Sequence, residues 1–293
     1  MPAAGSRSGV LGRMLVVLIL GLAPAANAAD QPRISLIIDD MGNRRGAGLA
    51  AIRLPGPVAY AFLPHSPHAE ELATLAFQGN KEVLLHIPMQ ATSAKPLGPG
   101  AITVAMNRVR LVKTVGAGLS SVPHVSGINN HMGSMVTSRR RHMGWLMDLL
   151  RVRGNLYFVD SRTTHQTIAL DVARSSGVPS TWRDVFLDNE PHRRNIAGEF
   201  DRLISIARKR GTALAIGHPH PETLSFLAER ILRLNVSGVR LVPVARLIQL
   251  RDRETPPFAD APSQVSRRGK TSSAWTRGRL FHSSASDHAA RTK

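Results

Sequence analysis

The sequence contains no cysteine among its 293 residues. Disulfides and thiolate metal ligands are therefore excluded, so any metal site must use histidine and carboxylate side chains. Aromatic residues make up only 4% of the chain, which leaves few faces on which a ligand ring could stack. No apolar run reaches the length of about 18 residues that a membrane-spanning helix requires. The fold must be held together by packing alone.

The N-terminus has the pattern of a secretory signal peptide. Arg7 and Arg13 precede the apolar residues 14–22, and the small residues Ala26-Asn27-Ala28 follow. A basic start, a short apolar middle and small residues before a cleavage site define such a leader, and the stretch is short for an uncleaved anchor. We predict that residues 1–28 are a signal peptide and that no transmembrane anchor remains after cleavage. The mature protein is then periplasmic or secreted.

The formal charge of +18 is spread over the whole chain. Residues 1–28 contribute +2, residues 251–293 contribute +5, and the remaining +11 belongs to the body of the protein. A basic body could bind nucleic acid, but export makes nucleic acid an unexpected partner. Anionic envelope polymers are the expected electrostatic partners, and the alternative is a soluble basic surface without a dedicated partner.

Residues 32–250 have the pattern of one α/β domain. Short apolar runs alternate with helical patterns, which predicts parallel βαβ units. About seven such units suit a barrel, although the pattern alone also permits an open doubly wound sheet. Residues 251–293 are basic and rich in Ser, Arg and Ala, and we predict a disordered tail there. The predicted strands are 34–38, 58–63, 82–87, 127–129, 156–160, 213–216 and 239–243.

Reactive side chains follow the carboxyl ends of five of these strands, where parallel α/β folds place their ligand sites. Neighbouring carboxylates repel, so one acid of the first pair must be paired, protonated or bound to a cation. If Asp40 binds the cation, Asp39 is free to act as a base beside an activated water. The strand-end residues are Asp39, Asp40, His86, Asn129, Asn130, His131, Asp160, His218 and His220.

Six motifs in order resemble the divergent polysaccharide deacetylase family, and the resemblance covers nearly all of residues 34–250. It implies an irregular seven-stranded (β/α) barrel related to metal-dependent carbohydrate esterases. The motifs are Leu-Ile-Ile-Asp-Asp-Met-Gly at 36–42, Leu-Leu-His-Ile-Pro-Met at 84–89, Asn-Asn-His-Met-Gly-Ser at 129–134, Phe-Val-Asp-Ser-Arg-Thr-Thr at 158–164, Arg-Asp-Val-Phe-Leu-Asp-Asn at 183–189 and Ile-Gly-His-Pro at 216–219.

The resemblance also implies roles for individual residues. It makes Asp39 the general base, Asp40 and His86 ligands of a divalent metal, with zinc expected, and His218 the general acid. The wider superfamily has a second histidine ligand four residues after the first, where this chain has Gln90. We predict that His131 takes its place as the third ligand, because two imidazoles and one carboxylate form a common open zinc site.

Four further residues are predicted near the cleft. Asp160 and Arg162 could form an ion pair that orients a ligand, or a buried structural pair. Asn130 and His220 lie beside the predicted ligands and the predicted acid. The leading functional hypothesis is metal-dependent removal of acetyl groups from an envelope polysaccharide or peptidoglycan-type glycan. The alternative is a non-catalytic periplasmic module that binds glycan or a cell-wall-remodelling partner, which Gln90 and the few aromatic residues favour.

Overall fold

The computed structural model describes residues 31–254. Within them, one sheet of nine parallel strands is surrounded by eight helices. The strands are β1 (Arg33–Met41), β2 (Ala59–Phe62), β3 (Val83–Met89), β4 (Val125–Met132), β5 (Tyr157–Asp160), β6 (Ser180–Trp182), β7 (Val185–Phe186), β8 (Thr212–Gly217) and β9 (Arg240–Leu241). The helices are α1 (Arg45–Ile52), α2 (Ala69–Gln78), α3 (Arg108–Ser121), α4 (Arg140–Arg153), α5 (Ala169–Ser175), α6 (Arg193–Arg210), α7 (Pro221–Leu232) and α8 (Val244–Glu254).

The strand order is β6-β5-β4-β3-β2-β1-β8-β7, and β9 pairs separately with β1. The two outer strands of this path are consecutive in the chain and are separated only by Arg183 and Asp184. The Arg183 N–H donates to the Asp160 carbonyl of β5, and the Asp184 N–H donates to the Leu214 carbonyl of β8. Residues 180–186 therefore act as one interrupted strand that joins the two sides of the sheet. With β1 to β5 and β8, this strand makes seven, and the predicted irregular seven-stranded (β/α) barrel is confirmed.

The identity of the seventh strand differs from the sequence pattern. The pattern indicated residues 239–243, but the structure forms only the two-residue β9 there, beside β1. The interrupted strand was missed because residues 180–186 contain Ser, Thr, Arg and Asp rather than an apolar run. Helices α1, α3 and α8 were also missed. The helical patterns in the sequence, at 68–78, 139–153, 167–175, 196–209 and 221–234, correspond to α2, α4, α5, α6 and α7, with bounds that differ by at most three residues.

Side chains alternate along each strand between the helix layer and the barrel interior. Ile34, Leu36 and Ile38 of β1 pack in the larger core cluster under the helices, whereas Ile37 packs in the smaller cluster inside the barrel. The interior positions change from apolar to polar toward the carboxyl ends of the strands. Leu84 is followed two residues later by His86, and Ile37 by Asp39, so the polar site forms at one end of the barrel.

Helix α8 covers the opposite end of the barrel. Val244, Leu247 and Ile248 belong to the interior cluster. The carboxylate of Glu82 accepts hydrogen bonds from the backbone N–H groups of Val244 and Ala245, which satisfies two donors at the start of the helix. The helix ends at Glu254, beyond the predicted domain boundary at residue 250. The predicted signal peptide and residues 255–293 of the predicted tail lie outside the described residues.

No helix within residues 31–254 is long and apolar enough to cross a membrane.

Candidate active site

Asp39 and Asp40 both reach the carboxyl-end site, although neighbours on a strand normally point to opposite faces. Asp39 follows Ile37 into the barrel interior. Asp40 has a positive φ of 55°, and the register of β1 against β2 shifts between Ile38 and Met41. This left-handed residue breaks the alternation, because it turns the second carboxylate toward the same side as the first. A strained conformation of this kind is often found at functional sites.

Three potential metal ligands converge at the end of β1, β3 and β4. Asp40 Oδ1 lies 3.3 Å from His86 Nε2 and 2.9 Å from His131 Nδ1. The two imidazole nitrogens lie 3.2 Å apart. His86 is buried, and the side chains of Asp40 and His131 are about one third and one quarter exposed. The three ligand atoms therefore form a compact triangle that is open toward the cleft.

The chemistry of this triangle fits a divalent metal. Asp40 Oδ1 is buried and has no hydrogen-bond donor within the described residues, although two imidazole nitrogens lie close to it. Tetrahedral zinc with bonds of 2.0–2.1 Å separates its ligand atoms by about 3.3 Å, which is close to the three distances observed. Two histidines and one carboxylate leave a coordination position open, as catalytic zinc sites require.

The electrostatics of the triangle also favour a positive charge. Burial raises the pKa of Asp40, but the imidazoles of His131 and His86, whose nitrogens lie 2.9 and 3.3 Å from Asp40 Oδ1, outweigh this effect and hold the pKa well below its ordinary range. Burial lowers the pKa of His86, but Asp39 and Asp40 raise it to about 9. The site thus stabilises an anionic Asp40 beside a positive charge, which a bound cation would supply in place of a proton.

Asn129 connects the predicted base to the predicted metal ligands. Its Oδ1 lies 2.8 Å from His86 Nδ1, and its Nδ2 donates to Asp39 Oδ1 at 2.8 Å. With a proton on His86 Nδ1, the Nε2 lone pair points toward Asp40 and His131, as metal binding requires. Burial is the largest effect on Asp39 and raises its pKa, although His86 and His218 oppose it. Asp39 is thereby suited to accept a proton.

His218 and Asp188 form a hydrogen-bonded pair on the other side of Asp40. His218 Nδ1 lies 2.9 Å from Asp188 Oδ1, and His218 Nε2 lies 3.8 Å from Asp40 Oδ2. Asp188 Oδ2 also accepts hydrogen bonds from the backbone N–H of His218 and from the hydroxyl of Thr223. Burial lowers the pKa of His218, but the hydrogen bond to Asp188 outweighs it, and the pKa is raised. The pair favours a protonated imidazole whose Nε2 faces the site.

Gln90 does not take part in the triangle. Its side-chain oxygen accepts a hydrogen bond from the Val104 N–H at 3.0 Å, and its carbonyl accepts from the N–H groups of Met135 and Val136. Gln90 therefore joins the loops that follow β3 and β4. The second imidazole of the triangle is that of His131, the residue predicted from the sequence to be the third ligand.

Asp160 and Arg162 do not form the predicted ion pair. Asp160 is buried and accepts hydrogen bonds from the Arg162 backbone N–H and from Thr167 Oγ1, while the Arg162 side chain is exposed beside the cleft. Arg162 has a positive φ of 49°, so its backbone turns back onto the Asp160 carboxylate and its side chain is directed elsewhere. Burial raises the pKa of Asp160.

Asn130 and His220 lie at the edge of the site. Asn130 accepts from the Ser161 N–H and donates to the Met132 carbonyl, so it fixes the loops after β4 and β5. The His220 ring lies 5.9 Å from the His218 ring. His220 also belongs to a second cluster, with Asp188 and His218, whose atoms are close enough to hold an ion. The carboxylate of Asp188 already takes part in three hydrogen bonds, one at Oδ1 and two at Oδ2.

A cleft of about 520 Å³ opens over these groups. Asp39, His86, His131 and His218 line its floor, and Arg183 and Phe186 line one wall. From the sequence, Asp188 was expected either to touch the site or to cap the turn before Asn189, Asn129 was identified only as a strand-end residue, and Arg183 had no predicted role. Asn129 and Asp188 stood within motifs already noted, but only the through-space contacts to His86 and His218 show what their side chains do.

The comparisons with known proteins agree with this geometry. The family model for divergent polysaccharide deacetylases matches residues 36–248. The chain belongs to this family. It is 37% identical to the uncharacterized protein YibQ of Escherichia coli over 235 residues, which cover 78% of this chain and 73% of that protein. It is 31% identical to an uncharacterized protein of Haemophilus influenzae over 242 residues, which cover 80% of this chain and 85% of that protein.

Among solved structures, the chain resembles the crystal structure of an uncharacterized protein from Agrobacterium tumefaciens. The TM-score is 0.72 at 21% identity, and the match covers 75% of this chain and 90% of that one. At this level of identity, the similarity shows only that the two proteins share a fold. The chemistry must therefore be argued from the residues of the site.

Proposed function

We propose that this protein is a metal-dependent hydrolase that removes acetyl groups from an envelope polysaccharide or a peptidoglycan-type glycan. The observation that carries the proposal is the arrangement around Asp40. Its Oδ1 lies within 3.3 Å of two imidazole nitrogens, and the predicted base Asp39 and predicted acid His218 lie in the same cleft. An open metal site with a base and an acid is the arrangement that amide or ester hydrolysis needs.

The residues that would hold the metal are Asp40, His86 and His131, with zinc as the expected ion. When bound, such an ion polarises the acetyl carbonyl and makes a water molecule more acidic. Asp39 removes the proton from the attacking water, and its burial favours proton uptake because the charged carboxylate is poorly solvated there. Asn129 keeps the Asp39 carboxylate oriented through the bond from its Nδ2.

His218 supplies the proton that the departing amine or alcohol needs. Its Nδ1 is held by Asp188, so its Nε2 is the nitrogen that faces the cleft. Asp188 keeps the imidazole protonated and oriented, as the third member of a proton-transfer group does in other hydrolases. One proton is taken by Asp39 and one is given by His218, so the two steps balance over a turnover.

The proposal includes location and partners. The signal-peptide pattern of residues 1–28 supports a periplasmic or secreted protein, and family membership supports a glycan as the substrate. The positive charge of the chain supports additional contacts with anionic envelope polymers. Nucleic acid is not proposed as a partner.

Acetate release tests the catalytic proposal. The purified mature protein is loaded with zinc and incubated with acetylated peptidoglycan fragments, and free acetate is measured for wild type, Asp39→Asn and Asp40→Ala. We expect release by wild type, loss in both variants, and loss of bound zinc in Asp40→Ala alone. Glycan binding that survives chelation and Asp39→Asn, without any acetate release from wild type, would instead support the non-catalytic binding module.

A further inference from the structure

One wall of the cleft is positively charged. Arg162 and Arg183 lie together there, because Arg183 Nη2 donates to the Arg162 carbonyl, and Lys95 also lines the cleft. The carboxylates at the site are those of Asp39, Asp40, Asp160 and Asp188. Asp39, Asp40 and Asp188 face imidazoles, and Asp160 accepts from the Arg162 backbone N–H and from Thr167 Oγ1. Burial lowers the pKa of Arg183, and the charges of Asp39 and Asp160 oppose that effect from beyond ion-pair distance, so the carboxylates of the site balance its charge only in part.

Arg183 is the best defined of these cations. Its Nε donates to the Ser161 carbonyl at 2.6 Å and its Nη2 donates to the Arg162 carbonyl at 2.8 Å. Its guanidinium also lies over the Phe186 ring at 5.0 Å. Within residues 31–254 it makes no ion pair with a carboxylate. A guanidinium has five N–H donors, so these contacts fix its orientation and leave Nη1 free to bind an anion.

Ser161 provides a second unused group at the same place. Its side chain is only 5% exposed, it lines the cleft, and its Oγ has no hydrogen-bond partner within the described residues. A buried hydroxyl without a partner is costly unless a ligand satisfies it. The Ser161 carbonyl also accepts a hydrogen bond from Arg183 Nε. The unpaired hydroxyl of Ser161 and the guanidinium of Arg183 are therefore neighbours in the cleft.

We infer that this wall binds a carboxylate, so that the cleft selects acetylated glycans whose sugar bears an acidic group. The inference rests on the proposed function and specifies its substrate class. The planar fork of Arg183 matches a carboxylate, Ser161 Oγ donates a further hydrogen bond, and Arg162 and Lys95 add charge from more exposed positions. A neutral acetylated sugar would leave these groups unpaired in the closed part of the cleft.

Binding of matched disaccharides tests the inference without turnover. The probes are the disaccharide of N-acetylglucosamine and N-acetylmuramic acid, its carboxyl-amidated form, and the neutral disaccharide of N-acetylglucosamine. A fourth probe, N-acetylglucosamine linked to glucuronic acid, distinguishes a lactyl carboxylate from a uronic acid. Calorimetry uses the zinc-loaded mature protein carrying Asp39→Asn. We expect either acidic disaccharide to bind on the order of tenfold more tightly than the neutral and amidated forms.

Variants that each remove one positive charge show which residue causes the preference for acidic disaccharides. Arg183→Gln should abolish the preference for the acidic probe, about a tenfold change, because its guanidinium is partly buried. Lys95→Gln should reduce the preference only about two- to fivefold because Lys95 is exposed. Arg208→Gln, on α6 and bonded to the Ser237 carbonyl, is the matched control and should leave the preference unchanged. Arg162→Gln removes a second positive charge from the cleft. It keeps the hydrogen bonds that Arg183 donates to the backbone carbonyls of Ser161 and Arg162.

The outcomes separate this inference from the proposed function. Equal binding of acidic and neutral probes, or a preference that survives both Arg183→Gln and Arg162→Gln, overturns the inference even if wild type releases acetate. A preference for the acidic probe that Arg183→Gln abolishes supports the inference even if wild type releases no acetate.

Discussion

The side-chain oxygen of Gln90 accepts a hydrogen bond from the Val104 N–H at 3.0 Å. Position 90 therefore serves to join two loops, and the imidazole of His131 completes the triangle with Asp40 and His86. The contact accounts for a glutamine at a position where related deacetylases have a histidine ligand. It also agrees with the prediction from the sequence that His131, and not Gln90, is the third ligand.

The first prediction compares substitutions at these two positions. His131→Ala should weaken zinc binding by at least about a hundredfold, because one of three protein ligands is lost. Gln90→Ala should keep zinc affinity near that of wild type. It should lower the free energy of unfolding by about 1 kcal/mol, because the Val104 N–H loses its acceptor. Competition titrations with a zinc chelator and urea denaturation measure the two quantities, and equal zinc losses in both variants would contradict the assignment.

The second prediction concerns the bridge made by Asn129. Asn129→Leu has a similar volume but removes the acceptor for His86 Nδ1 and the donor to Asp39. We expect zinc affinity to fall by about 10- to 100-fold, as is usual when the partner of a ligating histidine is lost. Ser126→Ala, on the same strand and bonded to the Val83 carbonyl, is the control and should not alter zinc affinity. An unchanged affinity in Asn129→Leu would show that the bridge is not needed to orient His86.

The third prediction is a bell-shaped dependence of kcat/KM on pH. Activity should rise as Asp39 loses its proton, at a pH above the ordinary range of an aspartate, because burial raises its pKa. Activity should fall as His218 loses its proton, above pH 6.5, because the bond to Asp188 outweighs burial and raises the pKa of His218 above its ordinary value of 6.5.

Asp188→Asn isolates the second limb of that profile. The substitution removes the anion beside His218, so the pKa of the imidazole should fall and the decline in activity should move to lower pH. The rising limb should stay in place, because it depends on Asp39. A falling limb that does not move in Asp188→Asn would remove His218 from the role of general acid.

The fourth prediction concerns stability at the other end of the barrel. Arg251 Nη2 lies 2.5 Å from Asp184 Oδ2, and both side chains are buried. Arg251→Met should lower the free energy of unfolding by about 3 kcal/mol, because it removes the buried cation beside Asp184 and leaves only the exposed Arg210, 3.7 Å from Asp184 Oδ1, as a charged partner. This value is at the low end of the roughly 3–5 kcal/mol expected when a buried ion pair loses one partner. The loss of stability is limited because Trp182 Nε1 and the Leu214 N–H still donate to Asp184.

The control for that variant is the exposed pair of Arg45 and Glu71 on α1 and α2. Arg45→Met should change stability little, because exposed ion pairs contribute little in water. Urea denaturation of the two variants gives the comparison. Equal small losses would mean that α8 does not contribute to stability through Arg251.

Much of the site was predictable because strands of a parallel barrel end at one rim. Asp39, Asp40, His86, His131 and His218 each follow an apolar strand pattern, and their convergence follows from that topology. The roles of Asn129 and Asp188 could not be predicted, because they depend on contacts across 43 and 30 residues of chain. The interrupted strand at 180–186 was missed because its polar residues do not form the apolar run that indicates a buried strand. Its backbone hydrogen bonds are divided between β5 and β8.

The positions of Asp40 and Arg162 show a further limit. Both have a positive φ, and no glycine, asparagine or turn dipeptide marks either position in the sequence. For Asp40 the left-handed backbone brings the carboxylate into the site. For Arg162 it replaces a predicted ion pair with a backbone hydrogen bond. Local propensity disfavours this conformation, so only the packing of the strand ends can impose it.

The most direct test of the metal centre is anomalous diffraction from crystals of the mature protein grown with zinc. The account predicts one strong peak bound by Asp40 Oδ1, His86 Nε2 and His131 Nδ1, with the Gln90 side chain still on the Val104 N–H. A peak at Asp188, His218 and His220, or no peak at Asp40 with zinc in excess, would contradict it.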